Sequence, residues 1–190
     1  PNRLFAGMLR SDDFCAYLKI LFNIAALLST VMTWRDRNNQ LHLSEYYALL
    51  LAIVLGAHIL VMSTNLIMIF ISIELISISS YVLAGFSFTR KGAEGSMKYF
   101  LFGSVASAVM LYGFSLLYGF TGTLDFSSIE FVESLTGKSS PSFFIAALMA
   151  IAGFLYKIAA APLHPWAPDV YEAAPMPVIA FLSVVPKIAG

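Results

Sequence analysis

Long stretches without any charged residue constrain this chain more than any other feature of its sequence. Residues 46–73, 99–124 and 139–156 contain no Asp, Glu, Lys or Arg, in runs of 28, 26 and 18 residues. A helix needs about 20 apolar residues to cross the hydrocarbon core of a bilayer, and the runs lack the alternation typical of membrane β-barrel strands. Because unpaired backbone is too costly in lipid, we predict an all-α, polytopic transmembrane helix bundle.

The composition agrees with a membrane protein and excludes several other classes. Of the 190 residues, 59% are hydrophobic and only 12% are charged, against roughly a quarter charged in an ordinary soluble domain. The 11 basic and 11 acidic residues give a net charge of zero, whereas a nucleic-acid-binding protein needs a basic face. The single cysteine, Cys15, excludes an internal disulfide, a Cys-ligated zinc site and an iron–sulfur cluster built from this chain alone.

The apolar runs predict six membrane-spanning segments. The predicted spans cover about 14–34, 46–62, 66–88, 96–119 and 143–161, and a sixth that begins near 177 and continues to 190. Residues 63–65 form the short turn between the second and third spans. Because the chain begins with Pro and stops within the last span, we expect it to be a fragment of a larger multi-pass protein.

Basic residues in the loops predict the orientation, because cytoplasmic loops carry an excess of Lys and Arg. Arg35 and Arg37 follow the first span, and Arg90 and Lys91 follow the third, whereas the loop at 121–141 is mainly acidic. We therefore expect the first two loops on the cytoplasmic side and the third loop on the opposite side.

Four ionisable residues lie where a bilayer disfavours charge. Glu74 is near the middle of the third span, Lys157 is deep in the fifth, Lys187 is in the sixth, and Lys98 is just inside the fourth. A charge at the bilayer centre costs about 2.5–3.5 kcal/mol or more, so each residue needs a partner, water or a function. We predict that they transfer protons. The alternatives are a Glu74–Lys157 ion pair that only fixes helix packing, and a Lys98 side chain that snorkels to the interface.

A cluster of prolines interrupts the end of the fifth span. Residues 161–168, with the sequence APLHPWAP, cannot form a continuous helix because proline lacks a backbone donor and clashes with the preceding turn. Irregular backbone at membrane depth lines cavities or is buried in protein, and discontinuous helices build ion sites in transporters. His164 titrates near neutral pH and is a candidate proton relay. The alternatives are a plain re-entrant or surface loop, and a histidine that only hydrogen-bonds the broken helix.

Other features have weaker functional interpretations. His58, in the second span, is expected to be a packed or hydrogen-bonded helix residue. Small residues at 103–108 predict that the fourth span approaches a neighbouring helix closely. No nucleotide-binding, haem or zinc motif occurs, so we predict that the chain itself holds no redox cofactor and no metal.

The motifs around the buried charges resemble a known family. They are IEL at 73–75, EGSMKY at 94–99, Lys157 followed by PLHPWAPDVYEAAP at 162–175, and PKIA at 186–189. In this order and spacing they are similar to the antiporter-like, proton-pumping subunits of respiratory complex I, which are related to multisubunit cation/proton antiporters. The resemblance extends from about residue 44 to the end of the chain.

This resemblance implies a protein of about fourteen helices with two inverted repeats of five helices, each repeat containing one broken helix. Residues 1–45 would hold an upstream helix with its flanking loops. Residues 46–190 would hold the first repeat, with its broken helix at 143–161 and its last helix truncated at 177–190. His58 departs from the family pattern, which assigns no role to it.

The resemblance also implies roles for the charged residues. In the family, the glutamate that matches Glu74 pairs with the lysine that matches Lys157 on the broken helix. The lysine that matches Lys187 continues the central hydrophilic axis, and Lys98 matches another family lysine.

The implied function is proton translocation as a membrane-arm subunit of NADH:quinone oxidoreductase, coupled to quinone reduction elsewhere in the complex. NADH, FMN, iron–sulfur clusters and quinone would then be bound by other subunits. The expected partners are the other membrane-arm subunits and the lipid bilayer, without nucleic acid, in the bacterial inner membrane. Two alternatives remain open, a subunit of a multisubunit cation/proton antiporter and a structural membrane subunit that does not transport ions.

Overall fold

The computed structural model describes residues 2–35, 42–137 and 140–190. Arg37 and Lys138, which belong to the loops used to predict the orientation, lie outside the described residues. Helices account for 79% of the residues that the structure describes, which confirms the prediction of an all-α fold.

The described part of the chain contains nine α-helices, one short 3-10 helix at Phe5–Gly7 and one antiparallel hairpin. The hairpin pairs β1 (Asn2–Leu4) with β2 (Leu9–Ser11). The helices are α1 (Asp13–Arg35), α2 (Leu43–Met62), α3 (Leu66–Ala84), α4 (Arg90–Thr121), α5 (Ile129–Gly137), α6 (Pro141–Lys157), α7 (Trp166–Ala173), α8 (Met176–Leu182) and α9 (Val185–Ala189).

Four helices, α1 to α4, are long and apolar enough to cross a membrane, while α6 and the α8–α9 segment are shorter apolar helices. The polytopic helix bundle is thus confirmed. Helix α4 has 32 residues, a length of about 48 Å that exceeds the ~30 Å hydrocarbon core. One end of α4 can therefore project beyond the core.

Side-chain caps fix where α3 and α4 begin. The Asn65 side chain accepts a hydrogen bond from the backbone N–H of Ile67 at 2.9 Å, and the Thr89 hydroxyl accepts one from Gly92 at 3.0 Å. Such caps satisfy backbone donors that the first helical turn leaves unpaired. The predicted turn at 63–65 is confirmed, since α2 ends at Met62 and α3 follows the Asn65 cap.

Contacts between loops define the two ends of the bundle. The rings of His42 and Phe88 lie 5.5 Å apart, so the α1–α2 and α3–α4 connections share one end. The backbone N–H of Leu66 donates to the carbonyl of Leu124 at 2.9 Å, so the α2–α3 and α4–α5 connections share the other. The grouping of the loops agrees with the predicted orientation, whereas the side of the membrane that each end faces stays a prediction.

The boundary predicted between the third and fourth spans is wrong. The third span was expected to extend to residue 88, but α3 ends at Ala84, and α4 begins at Arg90 rather than at 96. Phe88 has a positive φ of 51°, which a right-handed helix does not contain. Residues 85–88, with the sequence GFSF, belong to the predicted apolar span because of their two phenylalanines, although Gly85 caps α3 and Thr89 caps α4.

The predicted fifth span is also too long, because α6 ends at Lys157 rather than at residue 161. Ala159 has a positive φ of 55°, and the peptide bond between Ala161 and Pro162 is cis. The predicted interruption is confirmed, although the helix already resumes at Trp166 as α7.

The predicted sixth span is not one continuous helix. It is divided into α8, which ends at Leu182, and α9, which begins at Val185. Pro186 lies in the first turn of α9, where its missing N–H is tolerated, whereas the same residue would break a helix interior. The loop at 121–141 was predicted without a helix but contains α5.

Helix α4 packs closely on its neighbours where it carries glycine. A Cβ atom on Gly113 would lie only 2.4 Å from the backbone nitrogen of Ala150 in α6. A Cβ atom on Gly103 would lie 1.9 Å from the hydroxyl oxygen of Tyr81 in α3. The close approach predicted from the small residues at 103–108 is confirmed at Gly103.

We expect Gly113→Val to destabilise the bundle, because its side chain would collide with the backbone of α6. Overpacking of this kind costs about 1–3 kcal/mol, so the thermal midpoint of the purified full-length protein should fall by several degrees. Gly119→Val is the matched control, since a Cβ atom at Gly119 meets no atom within 4 Å. Equal midpoints for the two variants would contradict the close packing at Gly113.

Candidate functional site

Lys157 is the centre of the candidate site. It is the last residue of α6, and only 6% of its surface is exposed. Its Nζ atom donates hydrogen bonds to the hydroxyls of Ser77 and of Tyr81, the latter at 3.4 Å. The end of α6 thus places an ammonium group against α3, with hydroxyl groups as its hydrogen-bond partners.

Aromatic rings complete the surroundings of the ammonium group. Lys157 Nζ lies 5.4 Å from the centre of the Tyr81 ring and 5.6 Å from that of Tyr156. A cation within about 6 Å of an aromatic face is attracted by the ring quadrupole. These contacts partly replace the hydration that burial removes from Lys157.

Glu74 lies half-buried on α3 and faces α4. Its Oε1 atom accepts a hydrogen bond from the Ser107 hydroxyl at 2.5 Å. Glu74, Ser77 and Tyr81 are spaced i, i+3 and i+7, so they share one face of α3. This face brings the carboxylate, the two hydroxyls and Lys157 into one polar group inside an apolar bundle.

Glu74 and Lys157 do not contact each other directly. Within the described residues, no ion pair of 4.0 Å or less joins them. The pairing implied by the family resemblance is therefore a longer-range interaction in this structure. The carboxylate bonds to Ser107 and the ammonium to Ser77.

An aromatic cluster holds the interrupted helix beside Lys157. The Trp166 ring stacks on Tyr99 with 4.3 Å between ring centres, and its indole N–H donates to the carbonyl of Tyr156 at 3.2 Å. The Tyr156 hydroxyl donates to the carbonyl of Tyr99 at 3.0 Å. The first residue of α7 is thus fixed to the residue that precedes Lys157.

Lys187 contacts α7 through Tyr171. Its Nζ atom is 5.2 Å from the centre of the Tyr171 ring. The Tyr171 hydroxyl is buried and has no hydrogen-bond partner in the described part of the chain. Tyr171 also packs edge-on against Trp166 at 6.4 Å, so the rings next to Lys157 and Lys187 belong to one connected group.

Lys98 is not part of this central group. Its Nζ atom forms ion pairs with Glu94 and with Asp169, each at 2.9 Å, and 42% of its side chain is exposed. Glu94 belongs to the part of α4 next to the α3–α4 connection. Asp169 belongs to α7 and reaches the same part of α4 through Lys98.

Neither His58 nor His164 contacts Lys157 within the part of the chain that the structure describes. The His164 side chain is exposed and has no hydrogen bond or ion pair among the described residues. His58 packs on the Phe22 ring at 6.3 Å, which agrees with a packing role, and its buried Nε2 atom has no hydrogen-bond partner in the described ranges of the chain.

Sequence reasoning missed the groups that touch the buried charges. Ser77 and Tyr81 could have been found from their helical spacing after Glu74. Ser107 was interpreted only as a small residue for helix packing, because nothing in the sequence shows which residue of α4 faces Glu74. A search of the described residues finds no group of three or more His, Cys, Asp or Glu side chains placed to hold a metal ion.

Comparison with known families identifies the fold that carries this site. The sequence model of the family described as "NADH:quinone oxidoreductase/Mrp antiporter, TM" matches residues 63–190. The chain belongs to this family. The match includes the α3 face that carries Glu74, the interrupted helix after Lys157, and Lys187.

Curated relatives match the chain over nearly all of its length. NADH-quinone oxidoreductase subunit N of Chlorobium chlorochromatii is 43% identical over 100% of the chain and 38% of the relative. The protein of the same name from an Anaeromyxobacter species is 44% identical over 98% of the chain and 38% of the relative. The chain therefore spans well under half the length of the curated relatives it matches.

A solved structure shares the same arrangement of helices. The structure titled "Respiratory complex I from Thermus thermophilus with bound Aureothin" contains a chain that superimposes with a TM-score of 0.75 at 32% sequence identity. The match covers 90% of this chain and 38% of that chain. The family assignment and the fold agree that this is a multi-pass membrane protein.

We expect Ser77 and Lys157 to be energetically coupled, because removing either partner leaves the other buried without its hydrogen bond. In a double-mutant cycle, Ser77→Ala and Lys157→Met should show a coupling of about 0.5–3 kcal/mol in the free energy of unfolding. Denaturant unfolding of the full-length protein in mixed micelles measures it. Ser79→Ala is the control, since Ser79 is also buried on α3 but does not contact Lys157. Additive effects of the Ser77 and Lys157 substitutions would contradict the contact.

Proposed function

We propose that this chain is part of a proton-translocating membrane-arm subunit of an NADH:quinone oxidoreductase, in which Lys157 binds and releases the proton. The observation that supports this most directly is a buried lysine at the end of an interrupted helix, held by hydroxyls and rings rather than by a carboxylate. A lysine locked in a tight ion pair would have little freedom to change its protonation state. Hydroxyl oxygens can interact with the ammonium, and their protons can interact with the neutral amine.

Glu74 is proposed to control the charge state of Lys157. Its negative charge favours the ammonium form when the two groups approach, and burial favours the neutral form when they separate. The hydrogen bond from Ser107 defines one position of the carboxylate. A small movement of α3 relative to α6 would therefore change how tightly the proton is held at Lys157.

The energy required is within reach of such a change. Moving one charge against a membrane potential of 100 mV requires about 2.3 kcal/mol. At an effective dielectric constant of about 20, two unit charges 4 Å apart interact by about 4 kcal/mol. Bringing Glu74 from longer range to contact distance can thus supply energy of the required order.

Lys187 is proposed as the next proton-binding group. The rings of Tyr156, Trp166 and Tyr171 lie beside the two lysines, and we propose that the proton passes between the lysines through water near the interrupted helix. His164 is still a predicted relay for this transfer. Its exposed position favours a role at the mouth of the path rather than between the two lysines.

Redox chemistry is proposed to take place outside this chain. NADH, FMN, iron–sulfur clusters and quinone would be bound by other subunits, and quinone reduction would drive movements along the membrane arm. The neighbours of this chain would be other membrane-arm subunits and lipid, without nucleic acid. Because the curated relatives are bacterial, we propose a location in the bacterial inner membrane.

The alternative of a multisubunit cation/proton antiporter is not favoured. The family description includes such antiporters, but the curated relatives reported above are named as subunits of NADH-quinone oxidoreductase. The assignment of residues 46–190 to the first of two inverted repeats also stays a proposal.

We expect Lys157→Met, and to a lesser degree Glu74→Gln, to reduce proton pumping by about tenfold or more, since a side chain that cannot be protonated removes a step of the path. The measurement is the number of protons translocated per NADH oxidised in membrane vesicles that contain the assembled complex. Lys19→Met is the control, because Lys19 lies in α1, away from Lys157 and before the part that matches the family. Normal pumping by an assembled Lys157→Met complex would rule out the proposed role.

The proposed orientation is testable with single cysteines in a Cys15→Ser background. Ala93, near the α3–α4 connection, and Glu130, in α5, are both exposed and lie toward opposite ends of the bundle. A membrane-impermeant thiol reagent should label Ala93→Cys only in inverted vesicles and Glu130→Cys only in right-side-out vesicles. Labelling of both from the same side, or the reverse pattern, would contradict the orientation.

A further inference from the structure

Five charged residues connect the start of α4 to α7 outside the central site. We call them the α4–α7 ion-pair cluster, which consists of Lys91, Glu94, Lys98, Asp169 and Glu172. They surround a cleft of about 140 Å³. Lys98 pairs with both Glu94 and Asp169, each at 2.9 Å, and Lys91 pairs with Glu172.

The spacing of these residues follows from the two helices. On α4, Lys91, Glu94 and Lys98 are spaced i, i+3 and i+7, so they form one stripe. On α7, Asp169 and Glu172 are spaced i and i+3. Each helix therefore carries its charged residues on the side that faces the other helix. Several charges at such an interface can act together, unlike isolated surface pairs.

Close backbone packing lies beneath the charges. A Cβ atom on Gly95 of α4 would lie 2.8 Å from the Cβ atom of Ala173 and 3.2 Å from the carbonyl oxygen of Asp169. The ion pairs thus bridge two helices that are already in contact, which fixes the distance and the rotation of α7 relative to α4.

Helix α7 contacts the surroundings of both Lys157 and Lys187. Its first residue, Trp166, donates a hydrogen bond to the carbonyl of Tyr156, next to Lys157. One turn further, Tyr171 lies beneath the ammonium group of Lys187. Because α7 has only 8 residues, a rotation that breaks the ion pairs would move both rings.

We propose that Lys98 and Lys91 are positioning residues, which hold α7 on α4 through Asp169 and Glu172 and thereby set the surroundings of Lys157 and Lys187. This inference rests on the proposed function, and it assigns Lys98 a role different from that of a proton carrier. Lys98 is half-exposed and contacts two carboxylates, both of which favour a permanent positive charge. Lys157 is buried and contacts none.

The test exchanges the charges of one pair in the complete complex. Lys98→Asp alone places a fourth carboxylate in the cluster, and Asp169→Lys alone places two ammonium groups together. We expect each single variant to lower the protons pumped per NADH by about fivefold, with the amount of assembled complex unchanged. The double variant Lys98→Asp/Asp169→Lys restores the attraction and should recover to within about twofold of the unaltered complex.

Charge exchange tests positioning, because recovery by the double variant requires only that residues 98 and 169 carry opposite charges, whichever helix carries the ammonium group. A double variant that assembles but stays as impaired as the single variants overturns the proposal. The exchange Lys91→Glu/Glu172→Lys repeats the test at a more exposed pair, where folding is less at risk. Failure of that exchange to restore pumping, if Lys98→Asp/Asp169→Lys does not assemble, overturns it as well.

Lys157→Met in the same vesicles distinguishes this proposal from the function on which it rests. Suppose that Lys157→Met abolishes pumping, and that the charge-exchanged double variants pump no better than their single variants. Then only the positioning role is wrong. If Lys157→Met pumps normally, the proposed function fails and this inference fails with it.

Discussion

The burial of one ammonium group at the end of α6 determines how this part of the bundle is built. A lysine with 6% exposure in an apolar environment requires polar or aromatic contacts in place of water. Ser77 and Tyr81 of α3 supply hydroxyls, and Tyr81 and Tyr156 supply ring faces. The Tyr81 ring fits only because α4 carries Gly103 at that level. The contacts that replace water around Lys157 thus depend on the close packing of α3, α4 and α6.

The end of α6 at Lys157 has a second consequence. Backbone carbonyls of a terminated helix need partners, and at membrane depth lipid provides none. The chain therefore returns as α7, and Trp166 donates its indole N–H to the carbonyl of Tyr156 in the last turn of α6. The same contact brings the aromatic cluster into place. The interruption, which begins directly after Lys157, is stabilised by residues that also contact Lys187.

Physical limits explain which features the sequence could predict. The uncharged runs identified α2, α3 and α4, since a bilayer imposes length and apolarity on every span, and the cost of buried charge selected Glu74 and Lys157. Neither constraint indicates where an apolar segment turns, so the end of α3 near Phe88 and the division between α8 and α9 were missed. The pairing of Lys98 with Asp169 was missed too, because Asp169 lies 71 residues further along the chain. Only the tertiary fold brings the two together.

The contrast between Lys98 and Lys157 shows why position in a span is an insufficient guide to function. Both lysines interrupt apolar sequence, and both match lysines of the resembled family. The first is half-exposed and held by two carboxylates at 2.9 Å, so losing its proton would leave excess negative charge in the cluster. The second has only neutral contacts, with its acidic neighbour Glu74 bonded to Ser107 instead. Changing the charge of Lys157 therefore disturbs fewer favourable interactions, which is the property a proton-transfer group requires.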